Sequence, residues 1–345
     1  MPYYRIIKKI RRLHAQIKPA KFFILIFLPF IISYIIRSIK YGSDTGRMIM
    51  NNIKFILLLS VFLLTLMQIT GDTASSRFLL NDAYPPGFYK DDPLPDKTAY
   101  LTFDDGPSEW TADILDTLRE EGIRATFFIC AERFPQSDIV NNSFAEFKDV
   151  LNRMIREGHV IGNHTASHRD LATLSPEHIE QQLDENQYIL NRELGLTAPH
   201  MTLIRPPYGS PWYSRASDII RAKVGNKIKS RGLLIMWSRF SDSGDSVDWI
   251  SGDWYRESPR VNVNNAEFHK RMYEIYRRVI NHADGLGIVI LFHDTHLTTK
   301  TVLPKIIKKL KGMGYTFGTI EDYVKWRWGK NSSVVLSKKL PELQN

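Results

Sequence analysis

Short apolar runs alternate with longer amphipathic stretches between about residue 97 and residue 328. The apolar runs predict seven strands, at 99–103, 125–129, 160–161, 203–205, 233–237, 287–292 and 315–317. The amphipathic stretches predict helices at 110–121, 145–157, 176–193, 214–224, 266–282, 302–311 and 319–327. Such regular alternation indicates an α/β fold with a parallel sheet, which is either open or closed into a barrel.

Two segments depart from this alternation. Residues 73–96 are rich in Pro, Asp and Gly and predict a linker before the domain. Residues 329–345 form a polar tail that we expect to be mobile. These boundaries assign residues 97–328 to a single domain.

Two long apolar runs precede the linker, at 22–36 and 55–70. Both are shorter than the ~20 residues of a typical membrane-spanning helix. The segment 55–72 has the pattern of a signal-peptide apolar region or a membrane anchor, since Lys54 precedes it and small and polar residues follow the apolar run. We therefore expect an exported protein of the cell envelope or the medium, with membrane contact through these runs.

Positive charge is concentrated in the leader. Residues 1–54 contain eleven Lys and Arg and one acidic residue, whereas the rest of the chain contains 35 basic and 36 acidic residues. The body is therefore close to neutral, and we expect no nucleic-acid partner. Translation from Met48 or Met50 would leave residues 1–47 upstream of the true start. The sequence indicates no protein partner.

The single cysteine, Cys130, rules out an intramolecular disulfide and every cysteine-rich zinc site. Chemistry is carried instead by polar clusters that each follow a predicted strand, at 104–107, 163–168, 206–209 and 293–296. The carboxyl ends of parallel strands meet at the same edge of a sheet or barrel. We therefore expect these clusters to converge on one site.

Asp104 and Asp105 end the first predicted strand, and Gly106 with Pro107 stops it, so both carboxylates can reach the same site. His164 and His168 have the i, i+4 spacing that places two imidazoles on one side of a helical turn. Two histidines and one carboxylate form a three-ligand metal site with open positions, as in catalytic zinc centres. An acidic turn and a chance histidine pair are the plainer alternatives.

Three further positions have a chemical and a structural interpretation. Arg205 is either a cation that holds Asp104 ionised or a surface ion-pair partner. The turn containing Tyr208 can present a backbone N–H to an oxyanion. His293 is either a core residue or a general acid.

The loop residues Asp248 and Trp249 are evenly balanced between two interpretations. Either Asp248 tunes a histidine and Trp249 lines a sugar pocket, or the segment is an acidic surface loop in which the aromatic residue Trp249 is buried. Four other polar residues are interpreted as surface or strand-end positions: His159, Asn163, His178 and His200.

Taken in order, the motifs resemble the polysaccharide deacetylase family, carbohydrate esterase family 4, with its NodB-like domain. The matching segments are Thr102-Phe103-Asp104-Asp105-Gly106-Pro107, His164-Thr165-Ala166-Ser167-His168, Arg205-Pro206-Pro207-Tyr208 and Leu291-Phe292-His293, with the strand Ala125-Thr126-Phe127-Phe128. The resemblance covers about residues 97–328. One motif departs from the family pattern, because seven residues separate Trp237 from Asp245. Of the two aspartates that follow, we select Asp248 as the partner of His293.

The resemblance implies a distorted, TIM-like (β/α) barrel and a metal bound by Asp105, His164 and His168. It implies Asp104 as the base, His293 as the acid and Arg205 as the group that orients Asp104. Leu291 belongs to the motif on the substrate side. The expected metal is zinc, with cobalt or nickel as alternatives.

The implied reaction is removal of N-acetyl groups from a glycan, with peptidoglycan N-acetylglucosamine as the first candidate and chitin-like oligomers as the second. Three alternatives stay open. The same ligand set occurs in non-haem iron(II) enzymes, an O-acetyl esterase uses similar chemistry, and a glycan-binding protein could use this scaffold without catalysis. The length of the segment 210–286 makes the choice of glycan less secure than the chemistry.

Overall fold

The computed structural model describes residues 82–90, 92–133, 141–238, 245–251 and 263–339, all of which belong to one compact unit, Ser76–Asn345. The expectations for the basic leader and for the apolar runs 22–36 and 55–70 lie outside these residues. Within the described ranges, no helix combines the length and apolarity that crossing a membrane requires.

Most of the strands in the described residues belong to one large parallel sheet. The strands are β1 (Gly87–Phe88), β2 (Thr98–Asp104), β3 (Thr126–Ile129), β4 (Glu132–Arg133), β5 (Asn141–Asn142), β6 (Val160–Asn163), β7 (Leu203–Ile204), β8 (Leu233–Ile235), β9 (Ile288–His293) and β10 (Thr316–Gly318). The order is β1-β8-β7-β6-β3-β2-β10, with β9 also paired to β2, and every pairing in this sheet is parallel. Strands β4 and β5 form a separate antiparallel pair.

The sheet curls because the segment after β8 returns to β9. The backbone N–H of Ser238 donates to the carbonyl of Val289 at 3.1 Å, and that of Ser246 donates to the carbonyl of Leu291 at 3.1 Å. The predicted α/β fold is therefore confirmed as a curled half-barrel of parallel strands with helices packed around it.

The helices of the described residues are α1 (Thr111–Glu120), α2 (Ser143–Glu146), α3 (Lys148–Arg156), α4 (Pro176–Leu194), α5 (Asp218–Lys229), α6 (Ala266–Asn281), α7 (Leu297–Gly312), α8 (Ile320–Trp328) and α9 (Ser332–Lys339). A capping side chain marks the start of α4, α5, α6 and α8. Ser175 caps α4, with Pro176 in the first turn, and Thr319 forms a capping box with Asp322. The predicted helix at 145–157 divides into α2 and α3, and α7 begins five residues before the predicted 302.

The sheet is buried on both faces, which is why its strands are continuous apolar runs rather than alternating ones. On one face, the ring of Phe103 stacks on Phe127 at 4.9 Å and on Phe292 at 5.7 Å. The opposite face contributes Tyr100 and Phe128 to a second cluster. Because side chains alternate along a strand, Asp104 lies on the same face as Tyr100.

Two segments that we expected to lie outside the domain pack against it. Gly87–Phe88, in the predicted linker 73–96, pairs with β8, and Phe88 is fully buried. Helix α9, in the predicted mobile tail 329–345, buries Val335, and its Ser332 bonds to Thr202 at 2.5 Å. The expectations of a linker and a mobile tail are therefore wrong for these residues, and the packed domain extends beyond 97–328.

Candidate active site

The carboxyl ends of four parallel strands bring the candidate residues together. Asp104 ends β2 and is paired in register with His293, which ends β9. His164 directly follows β6, and Arg205 directly follows β7. Because all four strands run in the same direction, these side chains come from one edge of the curled sheet.

One carboxylate oxygen lies between two imidazoles. Oδ1 of Asp105 is 3.2 Å from Nε2 of His164 and 3.1 Å from Nε2 of His168. One donor atom from each of the three residues lies within 4.8 Å of the others. Oδ1 is buried, and no described group forms a hydrogen bond of acceptable geometry with it. Two nitrogens and an otherwise unpaired carboxylate oxygen form a donor set that suits a divalent cation such as zinc.

A backbone carbonyl fixes the tautomer of His164. Its Nδ1 lies 2.7 Å from the carbonyl oxygen of Arg205, and a carbonyl can only accept, so Nδ1 carries the proton and donates. Nε2 therefore presents its lone pair toward Asp105. This arrangement is the usual support for a histidine that binds a metal.

The charges of Asp105 and His168 influence each other. Burial raises the pKa of Asp105, but the charge of His168 and the close approach of both imidazoles outweigh it and hold that pKa well below its usual range. Burial lowers the pKa of His168, whereas the Asp105 carboxylate raises it, and the net change is upward. The negative charge on Asp105 and a positive charge on His168 therefore favour each other.

The backbone of this site is strained. Asp105, Thr165, His168 and Tyr208 all have positive φ, at 73°, 72°, 52° and 61°. Such conformations cost about 1–3 kcal/mol each for residues other than glycine and cluster at functional sites. Residues 164–168 consequently form a bend and not the helical turn that the histidine spacing predicted. The two histidine rings meet, with centroids 5.1 Å apart, because left-handed residues turn the loop back on itself.

Arg205 is fully buried, and each of its three guanidinium nitrogens donates at least one hydrogen bond. It donates to Oδ1 of Asp104 at 2.7 Å, to Oγ1 of Thr102 at 2.8 Å, and to the carbonyls of Ile235 and Met236. Burial lowers the pKa of Arg205, and the Asp104 carboxylate opposes that change. The surface ion pair considered for Arg205 is therefore excluded by its position, and Asp104 has a fixed cationic partner.

A second buried pair joins Asp248 to His293. The carboxylate of Asp248 accepts from His293 Nδ1 and from its backbone N–H, both at 2.7 Å, and from Thr299 Oγ1 at 2.6 Å. Burial lowers the pKa of His293, but the charge and hydrogen bond of Asp248, together with Asp105 and Asp104, raise it to about 10. Burial raises the pKa of Asp248, but the charge and hydrogen bond of His293 lower it by more, so the net change in this pKa is downward. This geometry presents a protonated imidazole at the edge of the site.

The chain is similar in sequence to proteins of known family. Residues 91–228 match the family model described as polysaccharide deacetylase. A peptidoglycan-N-acetylglucosamine deacetylase of Bacillus cereus is 31% identical over 222 residues, which cover 64% of this chain and 68% of that protein. The chain belongs to the polysaccharide deacetylase family.

Two further likenesses extend this result. A chitin deacetylase of Pestalotiopsis sp. is 30% identical over 227 residues, which cover 65% of this chain and 62% of that protein. The structure of the chitin deacetylase from Colletotrichum lindemuthianum matches with a TM-score of 0.51 at 24% identity, covering 68% of this chain and 92% of that chain. The structural match concerns the fold alone. Membership of the polysaccharide deacetylase family supports a hydrolase that acts on amide bonds of polysaccharides.

The remaining candidates are Tyr208, Trp249 and Leu291, and they differ in how much of each side chain is exposed. The ring of Tyr208 meets the edge of His168 with centroids 4.8 Å apart, and the side chain is 67% exposed. Trp249, next to Asp248, is 54% exposed in the short helical turn Asp248–Ser251. Leu291 is buried in β9, two residues before His293. Tyr208 and Trp249 therefore offer aromatic surface, whereas Leu291 contributes to the core below the site.

Several supporting residues escaped prediction from the sequence. Asn163, interpreted as a surface or strand-end residue, is buried, and its Oδ1 accepts from the backbone N–H of Thr165 at 2.8 Å. Thr299 is fully buried on Asp248. His159, also interpreted as a surface or strand-end residue, is a strand-end residue that directly precedes β6, and it is buried, with its Nδ1 accepting from the N–H of Ala125. Burial of these side chains depends on tertiary contacts that no local pattern in the sequence records.

Proposed function

We propose that this chain hydrolyses N-acetyl groups on amino sugars of a polysaccharide, with a divalent cation bound by Asp105, His164 and His168. The observation that carries this proposal is the buried Oδ1 of Asp105, which lies between two imidazole nitrogens and lacks a hydrogen-bond donor in the described structure. Zinc suits such a donor set, and cobalt or nickel are alternatives. Bound there, the cation would lower the pKa of a water molecule and polarise the substrate carbonyl.

Asp104 is the proposed base. Its Oδ1 is held by Arg205 at 2.7 Å, and its other oxygen lies 3.8 Å from Nε2 of His164, facing the cation site. The buried guanidinium of Arg205 donates to this carboxylate and fixes its orientation. Asp104 therefore takes a proton as the oxygen of water forms its bond to the acetamide carbon.

His293 is the proposed acid. It gives its proton to the amide nitrogen as the carbon–nitrogen bond breaks, so that acetate and a free amine leave. Asp248 stabilises the imidazolium by accepting a hydrogen bond from ring Nδ1, and it accepts a second bond from the backbone N–H of His293. In this scheme the backbone N–H of Tyr208 donates to the oxyanion that precedes bond cleavage.

The proposed glycan surface is formed by exposed aromatic side chains beside the chemistry. Tyr208 and Trp249 both present large exposed areas, and aromatic faces suit the apolar faces of sugars. Leu291 lies on the same face of β9 as His293 and is buried in the core below the site, and we place it at the floor of the pocket that would take the acetyl methyl group. These positions favour a polymeric amino sugar over a small acetamide.

Peptidoglycan N-acetylglucosamine is the proposed first substrate and chitin-like oligomers are the second. The Bacillus cereus relative is named for the first of these and the Pestalotiopsis relative for the second. A substrate in the cell envelope would require export, in line with the apolar runs of the leader. Membrane contact through those runs belongs to the same proposal.

The test is acetate release from a matched panel: peptidoglycan, chitin oligomers and an O-acetylated xylan. The proposal predicts acetate from the N-acetylated glycans, with a free amine formed in equal amount. Acetate from the xylan alone would indicate an O-acetyl esterase. Glycan binding without acetate release, from protein shown to contain metal, would indicate a binding protein.

A further inference from the structure

Helix α4 carries a buried amide that has no place in the proposed reaction. Asn186 is fully buried near the middle of this helix. An asparagine in such a position must find partners for two N–H donors and one carbonyl oxygen, because an unsatisfied buried polar group is costly. Its partners therefore indicate what it holds.

All three requirements of Asn186 are met at the carboxyl ends of two strands. Its Nδ2 donates to the carbonyl of Ile129 at 2.9 Å and to Oδ1 of Asn163 at 3.0 Å. Its Oδ1 accepts from the backbone N–H of Ala131 at 3.1 Å. Asn186 thus ties the end of β3 to the end of β6.

Asn163 continues this connection into the histidine loop. Its Oδ1 also accepts from the backbone N–H of Thr165 at 2.8 Å, and its Nδ2 donates to the carbonyl of Leu183 in α4. Thr165 has a φ of 72° and directly follows His164. The bonds from Asn186 through Asn163 therefore hold the first left-handed residue of the loop.

Gln182, one turn earlier on α4, holds the other end of the same loop. Its Oε1 accepts from the backbone N–H of Ser167 at 3.0 Å and from Oγ of Ser167 at 3.1 Å. Its backbone carbonyl accepts from the N–H of Ala166 at 2.9 Å. Ser167 directly precedes His168, so α4 fixes the backbone beside both histidines.

We propose that Asn186 and Gln182 are positioning residues that hold His164 and His168 in the geometry needed to bind the cation. This inference rests on the proposed function, since it concerns the same cation site. The amide of Asn186 is required as such, because it donates two bonds and accepts one, which neither a carboxylate nor an aliphatic side chain reproduces. Loss of such supporting groups typically costs 10–100-fold in metal affinity.

The experiment is a Zn²⁺ titration of the full chain in competition with a chelating indicator. Asn186→Asp and Asn186→Leu should weaken Zn²⁺ binding by about 10–100-fold. Gln182→Ala, at a half-buried position, should weaken it by a smaller factor. Acetate release by the folded variants should recover when Zn²⁺ is raised to saturation.

Leu190→Ala is the matched control on the same helix. Leu190 is fully buried in the core cluster that also contains Phe103 and Phe127. Its truncation therefore destabilises the fold without removing a hydrogen bond to the histidine loop. This variant should melt at a lower temperature and bind Zn²⁺ as tightly as the wild type. A purely structural role for Asn186 would make its variants behave like this control.

The outcomes separate this inference from the proposed function. Folded Asn186 and Gln182 variants that bind Zn²⁺ as tightly as the wild type would overturn the inference alone. If the Asn186 variants do not fold, wild-type affinity in Gln182→Ala is sufficient to overturn it. A wild-type protein that neither binds Zn²⁺ nor releases acetate would overturn the proposed function as well.

Discussion

The two halves of the site are held in different ways. The cation half is supported by many bonds, because Arg205 donates four times, a carbonyl holds His164 and helix α4 holds the histidine loop. The acid half depends on one carboxylate, Asp248, which accepts both bonds to His293 and one from Thr299. The acid half should therefore fail when Asp248 alone is changed, whereas the geometry of the cation half is shared among several supporting groups that each contribute a part of it.

Asp105→Ala should have the largest effect, since it removes the oxygen that both imidazoles approach. We expect turnover to fall by more than the ~10⁴-fold upper range for the loss of one acid or base. Zn²⁺ affinity should fall beyond the ~10–100-fold typical of a lost supporting group. Metal titration and acetate release measure the two quantities, and Asp113→Ala on α1 is the control.

Asp104→Asn should separate binding from turnover within the cation half. The amide keeps the shape of the side chain but cannot take a proton, so kcat should fall by about 10²–10⁴-fold. Zn²⁺ affinity should stay within a few-fold of the wild-type value. A variant with near-normal kcat would show that Asp104 is not the base.

Asp248→Asn tests the dependence of the acid half on one carboxylate. Burial lowers the pKa of His293, and the charge and hydrogen bond of Asp248 raise it, to a net value of about 10. Without that charge the pKa should fall. Because the acid is active when protonated, activity is lost as the pH rises through this pKa. The alkaline limb of kcat/KM should therefore move to lower pH, and kcat/KM should fall by about 10²-fold.

The pH profile can also contradict the proposed role of Asp248 in raising the pKa of His293. An alkaline limb at the same pH in the wild type and in Asp248→Asn would show that His293 is not the acid, or that Asp248 does not set its pKa. Zn²⁺ affinity should be little changed in this variant. A large loss of affinity would mean that the two halves of the site are not separable.

Thr299→Val should have the smallest effect of the series. It removes one hydrogen bond to Oδ2 of Asp248 and leaves both bonds to His293 in place. The loss of one such bond is worth about 1 kcal/mol, or about fivefold in kcat/KM. The alkaline limb should move in the same direction as in Asp248→Asn but by less. A larger effect than that of Asp248→Asn would contradict the proposed order of support.

The sequence predicts the strands well and the supporting residues poorly, for a physical reason. Buried parallel strands are recognisable because both of their faces are apolar, and the polar residues after β2, β6, β7 and β9 stand out against them. The strand Gly87–Phe88 was missed, because two residues show no periodicity and their pairing comes from β8. Tertiary contact, not local pattern, fixes such a strand.

The histidine pair shows where spacing alone misleads. An i, i+4 spacing suits a helix, but left-handed Thr165 and His168 bring the two rings together in a bend. Asn186 shows that the helical pattern can mislead as well. A polar residue in an amphipathic helix usually faces water, but Asn186 is fully buried. Its burial follows from how α4 packs on the sheet, which the helical pattern does not encode.

The central claim is that turnover requires a divalent cation held by Asp105, His164 and His168. The most direct measurement is the rate of acetate release from N-acetylglucosamine oligomers as metal is removed from the purified protein and Zn²⁺ is returned, with metal content measured on the same samples. The account predicts that the rate falls in proportion to metal content and recovers with a stoichiometric amount of Zn²⁺. A full rate from protein shown to be free of metal would contradict it.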